Sequence, residues 1–277
     1  MKKISINSEE LAYTDEGKGA KTLIFVHGLS SNLEAWKKNI SGLSGFFRCV
    51  ALDLPGYGKS SKNKTSYSLV EYADFLLKFA KEKQLENPVL VGHSMGGQIA
   101  VHAVLQSPGY FEKLILVAPA GIETFTEEEA RIMKFSYTPE MVKNATDAQI
   151  RSNFLVNFYE FPEDAAFMIE DRIAMKSATD FGVYSEIIVN NIGAMLEEPV
   201  FDSLDKISIP VLIIYGKNDQ LIPNKYFHPT QDIEFLVKGA KTKIPTLKVE
   251  LINEAGHFVN FEKASEVNQK IECFINN

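Results

Sequence analysis

The chain is poor in cysteine, with two in 277 residues, Cys49 and Cys273. Neither stands in a metal-ligand spacing, and a disulfide framework needs more of them. Cys49 falls in an apolar strand-like run and Cys273 in an amphipathic helical pattern, so both are expected to be buried free thiols of a reducing compartment. Long hydrophobic runs are missing too: none approaches the roughly 18 apolar residues of a membrane span. The opening MKKISINSEELAY has two lysines with no apolar stretch behind them, which argues against a signal peptide and for a cytoplasmic protein. Basic stretches long enough to track a phosphate backbone are absent, and the formal net charge is −7. Neither nucleic acid nor a membrane surface is an expected partner. Internal repeats and low-complexity segments are also absent. What remains is 45% hydrophobic and 23% charged residues, enough to bury one large core without staples.

The order of the patterns gives the fold class. Lys3 to about Thr14 reads as an edge hairpin, and Lys21–Val26 as a short strand apolar on both faces. A helix over Asn32 to about Ile40 and a strand over Phe47–Leu52 follow. Ser68-Leu69-Val70-Glu71 is a capping-box pattern, and Leu69, Tyr72, Leu76 and Phe79 continue it as one apolar helical face. Then come a strand over Pro88–Val91, a helix from Met95 to about Gln106 and a strand over Lys113–Val117. The alternation stops near Ile122 and resumes after Lys206, with strands over Pro210–Tyr215 and Thr246–Ile252. A closing helix carries the stripe Ala264, Val267, Ile271 and Phe274.

Strands separated by helices imply parallel pairing with right-handed crossovers, so the class is α/β with a doubly wound, mostly parallel sheet. Residues 122–206 are expected to form a helical cap inserted between core segments 1–121 and 207–277. Its helix starts are Thr126 with Glu129, Thr138 before Pro139, and Thr146 with Gln149. Its many aromatics, among them Phe125, Phe135, Tyr137, Phe154, Phe158, Tyr159, Phe161 and Phe167, are expected mainly in its own small core and its seam, with a minority lining a pocket. Arg131, Arg151 and Arg172 in the same segment fit solvated helix faces or a substrate carboxylate equally well.

In an open parallel sheet, function gathers at the carboxyl ends of the strands. There Gly92-His93-Ser94-Met95-Gly96 fits G-x-S-x-G, between an apolar strand and a helix. Such a reversal presents Ser94 at its tip and requires nearly side-chain-free neighbours. A serine hydroxyl needs a base within hydrogen-bond reach. Of five histidines, His257 is best placed, on a Gly-His loop straight after the last strand; His93 adjoins Ser94 but points away, and His228 fits a surface loop. Asp219, after the Gly216 turn, is the acid that would hold the imidazole in one tautomer. The N–H groups of Met95 and Leu29 are the expected oxyanion donors. The 38 residues from Asp219 to His257 leave room for an additional loop or helix over Phe227 to Ile244.

These residues stand in the order of a known family. His27-Gly28, Asp53-x-Pro55-Gly56-x-Gly58-x-Ser60, Gly92-His93-Ser94-Met95-Gly96-Gly97, Asp219 and Gly256-His257-Phe258 resemble the α/β-hydrolase superfamily over nearly the whole chain. The likeness is to capped serine carboxylesterases and to the meta-cleavage-product (carbon–carbon bond) hydrolases, with the Asp53 segment as a structural turn. The resemblance implies a Ser-His-Asp hydrolase that needs no cofactor or metal and acts on a small-molecule ester. Ser94 excludes the Asp-nucleophile chemistries of the fold, and perhydrolase side activity needs no extra residue. The carbon–carbon enzymes usually carry Asn before the nucleophile, a glycine-richer oxyanion loop and Trp after the catalytic His. His93, Leu29-Ser30 and Phe258 stand there instead, which favours esters of small to medium apolar acyl groups. A carbon–carbon hydrolase and a non-catalytic receptor on the same fold are the alternatives. Monomer and homodimer both stay open.

Overall fold

A computed structural model describes residues 1–277, built on one eight-stranded sheet. The strands are β1 (Lys2–Ile6), β2 (Glu9–Glu16), β3 (Thr22–Val26), β4 (Arg48–Leu52), β5 (Val89–His93), β6 (Lys113–Val117), β7 (Val211–Gly216) and β8 (Lys248–Ile252). Their spatial order is β1-β2-β4-β3-β5-β6-β7-β8. β1, β2 and β4 pair antiparallel, and every pairing from β4 through β8 is parallel. The helices are α1 (Lys37–Leu43), α2 (Leu69–Glu82), α3 (Met95–Gln106), α4 (Glu127–Ser136), α5 (Pro139–Asn144), α6 (Asp147–Leu155), α7 (Ala166–Met175), α8 (Phe181–Glu197), α9 (Ile233–Lys243), α10 (Val259–Glu262) and α11 (Ala264–Asn276). None of them is long and apolar enough to cross a membrane.

The inner strands are continuously apolar because both of their faces are covered. Leu23, Phe25, Val89, Val91, Ile115 and Val117 point to one side, where they pack with Trp36, α1 and α11. Ile24, Val26, Leu90, Leu114 and Leu116 point to the other, against α2, α3, α8 and α9. Each such side chain contributes about 1.5–3 kcal/mol by leaving water. The box that starts α2 is closed in both directions: Ser68 Oγ accepts from the Glu71 N–H at 3.0 Å, and Glu71 Oε2 accepts from the Ser68 N–H at 3.1 Å.

Between β6 and β7 the chain holds helices and no strand, and Thr126, Thr138 and Thr146 cap α4, α5 and α6 as their spacing predicts. These helices differ in how they are held. α8 buries Phe181, Tyr184, Ile187 and Ile188 in the same apolar core as α2 and the sheet. α4 and α5 pack mainly on α8 and bury no residue fully. Phe135 on α4, Tyr137 just past its end and Tyr159 in the loop after α6, expected in a core or a seam, are exposed.

Two further expectations are corrected. The helix expected over 32–40 is a 3₁₀ turn, Leu33–Trp36, which runs into α1 and ends later, at Leu43. Asn32 starts it by accepting from the Glu34 N–H, and the tight turn turns Leu33 and Trp36 inward. Cys49 is buried but Cys273 is exposed. Cys273 lies two residues past the buried Ile271, about 200° around α11, on its outer face.

Candidate active site

β5 becomes α3 within one residue, and that residue is Ser94, at φ 53° and ψ −121°. Such a conformation costs on the order of 1–3 kcal/mol in an L-residue and persists where the surroundings enforce it. Here the Ser94 N–H donates to the Val117 carbonyl of β6 at 3.0 Å, and the Ser94 carbonyl accepts from Gly97 and Ala120. A Cβ on Gly92 would lie 2.3 Å from the Gly96 carbonyl oxygen, so the turn closes only without one.

His257 Nε2 lies 2.9 Å from Ser94 Oγ, and its Nδ1 lies 2.7 Å from Asp219 Oδ2. An Nδ1–H donating to the carboxylate leaves Nε2 free to accept from the serine hydroxyl. Asp219 Oδ1 accepts from the N–H groups of Leu221 at 2.8 Å and Ile222 at 3.0 Å, which fixes the carboxylate plane. Both side chains are buried. Their loops are tied together where β7 and β8 end, with Lys217 N–H on the Ile252 carbonyl and Asn218 N–H on the Ala255 carbonyl. The three residues expected to act together thus converge from the ends of β5, β7 and β8.

The loop after β3 runs directly against the serine: a Cβ on Gly28 would stand 3.0 Å from Ser94 Cβ. Its geometry is set by His27. The Leu54 N–H donates to His27 Nε2 at 3.1 Å, which places the proton on Nδ1, and Nδ1–H donates to the Gly28 carbonyl at 2.8 Å. That carbonyl belongs to the same peptide unit as the Leu29 N–H. Burial pushes the His27 pKa down to about 4, so the tautomer is kept at neutral pH. Beneath it, the Asp53 carboxylate accepts from the N–H groups of Leu33 and Lys59, both at 2.7 Å, and burial pushes its pKa up to about 6. At the other expected donor, the N–H of Met95 heads the first turn of α3, where helix N–H groups have no intrahelical acceptor.

Residues 21–264 match the family described as alpha/beta hydrolase fold. The chain belongs to that family. It is 26% identical over 272 residues to the dihydrolipoyllysine-residue acetyltransferase component of the acetoin cleaving system of Cupriavidus necator, covering 95% of this chain and 66% of the relative's length. It is 27% identical to the pimeloyl-[acyl-carrier protein] methyl ester esterase of Vibrio campbellii, over 90% of this chain and 92% of that one. With the 2-hydroxy-6-oxo-6-(2'-aminophenyl)hexa-2,4-dienoic acid hydrolase of Metapseudomonas resinovorans it shares 26% over 79% of this chain and 75% of that one. Among solved structures, a thermophilic esterase from Thermogutta terrifontis superposes with a TM-score of 0.79 at 23% identity, over 100% of this chain and 98% of that chain.

Other residues hold the site together without any sequence signal. His93 does point away from Ser94 Oγ; its Nε2–H donates to the His257 carbonyl at 2.9 Å, and burial keeps the ring neutral, its pKa well below the usual range. The ring packs against His257, Phe258 and, edge-on, Trp36. The Glu262 carboxylate accepts from the N–H groups of Gly256, Tyr159 and Glu160, clamping the helical segment to the His257 loop. A carboxylate that serves only backbone N–H groups leaves no pattern to find. Of the three arginines of that segment, Arg131 pairs with Glu128 on the surface and Arg151 is exposed. Arg172 is buried: it donates to the Ser30 carbonyl at 2.7 Å and to the Ser30 hydroxyl, with its guanidinium over the Tyr184 ring.

A cavity of about 540 Å³ opens over Ser94. Leu29, Phe125, Phe154, Ile192, Met195 and Leu196 supply apolar wall, so a minority of the aromatics of 122–206 does face the serine. His228, expected on a surface loop, packs behind this wall. Its Nδ1 lies 2.5 Å from Glu123 Oε1 and its ring stacks on Phe125 at 5.2 Å. The loop folds back because the Asn224 N–H donates to Glu123 while the Asn224 carbonyl accepts from the His228 N–H. The segment from Phe227 to Ile244 holds α9.

Proposed function

We propose that the chain is a carboxylic ester hydrolase that works through an acyl-enzyme on Ser94, with His257 as base and Asp219 as its orienting acid. One observation carries this reading: the His257 imidazole spans Ser94 Oγ at 2.9 Å and Asp219 Oδ2 at 2.7 Å, at a strained strand–helix turn. His257 takes the hydroxyl proton as Ser94 Oγ attacks the ester carbonyl, and the N–H groups of Leu29 and Met95 receive the oxyanion. The imidazolium, held by Asp219, then protonates the leaving alcohol. A water deprotonated by His257 releases the acid and restores Ser94. The apolar wall suits small to medium apolar acyl groups, and residues 122–206 serve as the cap that shields them from water. A carbon–carbon hydrolase would use the same triad, but His93 and Phe258 stand where those enzymes usually carry Asn and Trp.

The test is hydrolysis of p-nitrophenyl esters from acetate to decanoate by the wild type and by Ser94→Ala. Turnover with an optimum at a short or medium chain, lowered at least about a thousandfold in Ser94→Ala, is expected. No turnover on any ester would overturn the reading.

A further inference from the structure

We propose that Glu123 makes this cavity select esters whose acyl and alcohol parts are neutral or carry an ammonium group, and reject esters that bear a separate carboxylate. The inference rests on the ester-hydrolase reading above and names the substrate class of the same site.

The cavity wall contains no lysine and no arginine, but it contains two carboxylates, Glu123 and Asp202. They differ in setting. Asp202 stands at the mouth, largely in solvent and 3.1 Å from Lys243, so water and its partner screen it. Glu123 is inside, its side chain only 5% exposed. Its Oε1 takes both of its hydrogen bonds, from the Asn224 N–H at 2.8 Å and from His228 Nδ1 at 2.5 Å. Its Oε2 makes none, and the residue lines the cavity.

The neighbours of Glu123 do not turn the wall positive. His228 Nε2 faces a second carboxylate, Glu129 Oε1, at 3.6 Å. With protons on both ring nitrogens, His228 sits between two negative charges and the cluster is anionic by one. Without the second proton it is more anionic still. Burial raises the Glu123 pKa, and the negative charge of Asp219 adds to the shift. The only buried arginine of the helical segment, Arg172, is committed to Ser30 and the Tyr184 face and does not line the cavity. A substrate carboxylate would therefore lose its water and meet like charge without a cation to receive it. A cationic group would instead be drawn to Glu123 by charge, whether or not it carries an N–H. Specificity of this kind works by building in the repulsive group.

Two matched substrate sets test this, since the charge can sit on either side of the scissile bond. The acyl set is p-nitrophenyl hexanoate against mono-p-nitrophenyl adipate. The alcohol set is phenyl butyrate, 3-butyryloxybenzoate and 3-(trimethylammonio)phenyl butyrate. In at least one set, kcat/KM of the carboxylate member is expected to lie at least about tenfold below the neutral one, with the ammonium member at or above it. Glu123→Gln, which preserves the shape and an acceptor for Asn224, is expected to close most of that gap. Met133→Lys puts a cation in the same wall without touching Glu123, and is expected to close it too if Glu123→Gln does not fold. Carboxylate members turned over as fast as neutral ones in both sets would overturn the proposal, as would a gap that survives both substitutions. Inactivity on the neutral members would overturn the ester reading instead, so the two failures are distinct.

Discussion

His27 shows how one buried ring can fix the backbone of a loop that lies against Ser94. Its two nitrogens join the Leu54 N–H to the Gly28 carbonyl, and so orient the peptide whose N–H belongs to Leu29. In His27→Gln this link is broken while Ser94, His257 and Asp219 stay in place. The expected result is a kcat lower by up to about a hundredfold with KM little changed, since losing one oxyanion donor costs about 3 kcal/mol in comparable enzymes. Steady-state kinetics on the best p-nitrophenyl ester checks it; an equal loss in KM would point to a disturbed pocket instead. At this scale the sequence displays residues whose neighbours along the chain are part of their chemistry. Ser94 announces itself through Gly92 and Gly96, and His257 through Gly256. Glu262, Arg172 and His228 do not, because the groups they meet are backbone atoms or side chains brought up from elsewhere by folding.

At the scale of elements, legibility followed local causes. α3 and β6 come out at their expected ends because a strained turn starts the one and a Pro-Ala-Gly cluster follows the other. The caps at Ser68, Thr126, Thr138 and Thr146 all form, since a cap is written within four residues. What escaped was set by tertiary packing: the 3₁₀ start before α1, and the solvent exposure of Phe135 on α4 and of Tyr137 at its end. The α2 cap yields a clean test. Ser68→Ala is expected to lower unfolding free energy by about 1 kcal/mol and leave esterase turnover unchanged, as measured by urea denaturation beside the standard assay. A stability change within error would mean that burial of Leu69, Tyr72, Leu76 and Phe79 alone fixes the start of α2.

For the whole molecule, the buried titrating groups make stability depend on pH. An unfolded chain protonates its histidines near 6.5, whereas folded His27 does so only near 4 and His93 well below its usual range. As pH falls through this window the unfolded state gains protons that the folded state refuses, so stability drops. Asp53 opposes this. Its folded carboxyl takes a proton near 6 rather than at 3.8, which favours the folded state as the solution turns acid. Glu123, raised by burial, acts with Asp53, while Asp15 and Glu71, held below the usual carboxylate range, act with the two histidines, and the balance is a net loss. Melting curves are expected to show Tm falling from pH 7 to pH 4.5, and a Tm that held or rose would contradict the balance drawn here.

The chain has a single tryptophan, and it is Trp36, fully buried between Phe25 and the edge of His93, with no hydrogen-bond partner for its indole nitrogen. His93 in turn holds the loop of His257. All of the molecule's indole emission therefore comes from one buried position, a single ring away from the imidazole that lies 2.9 Å from Ser94 Oγ. Its colour reports water entering the core, and its intensity reports shifts of the neighbouring rings. The fold thus carries its own optical gauge of the site, with no dye and no chromogenic leaving group to add.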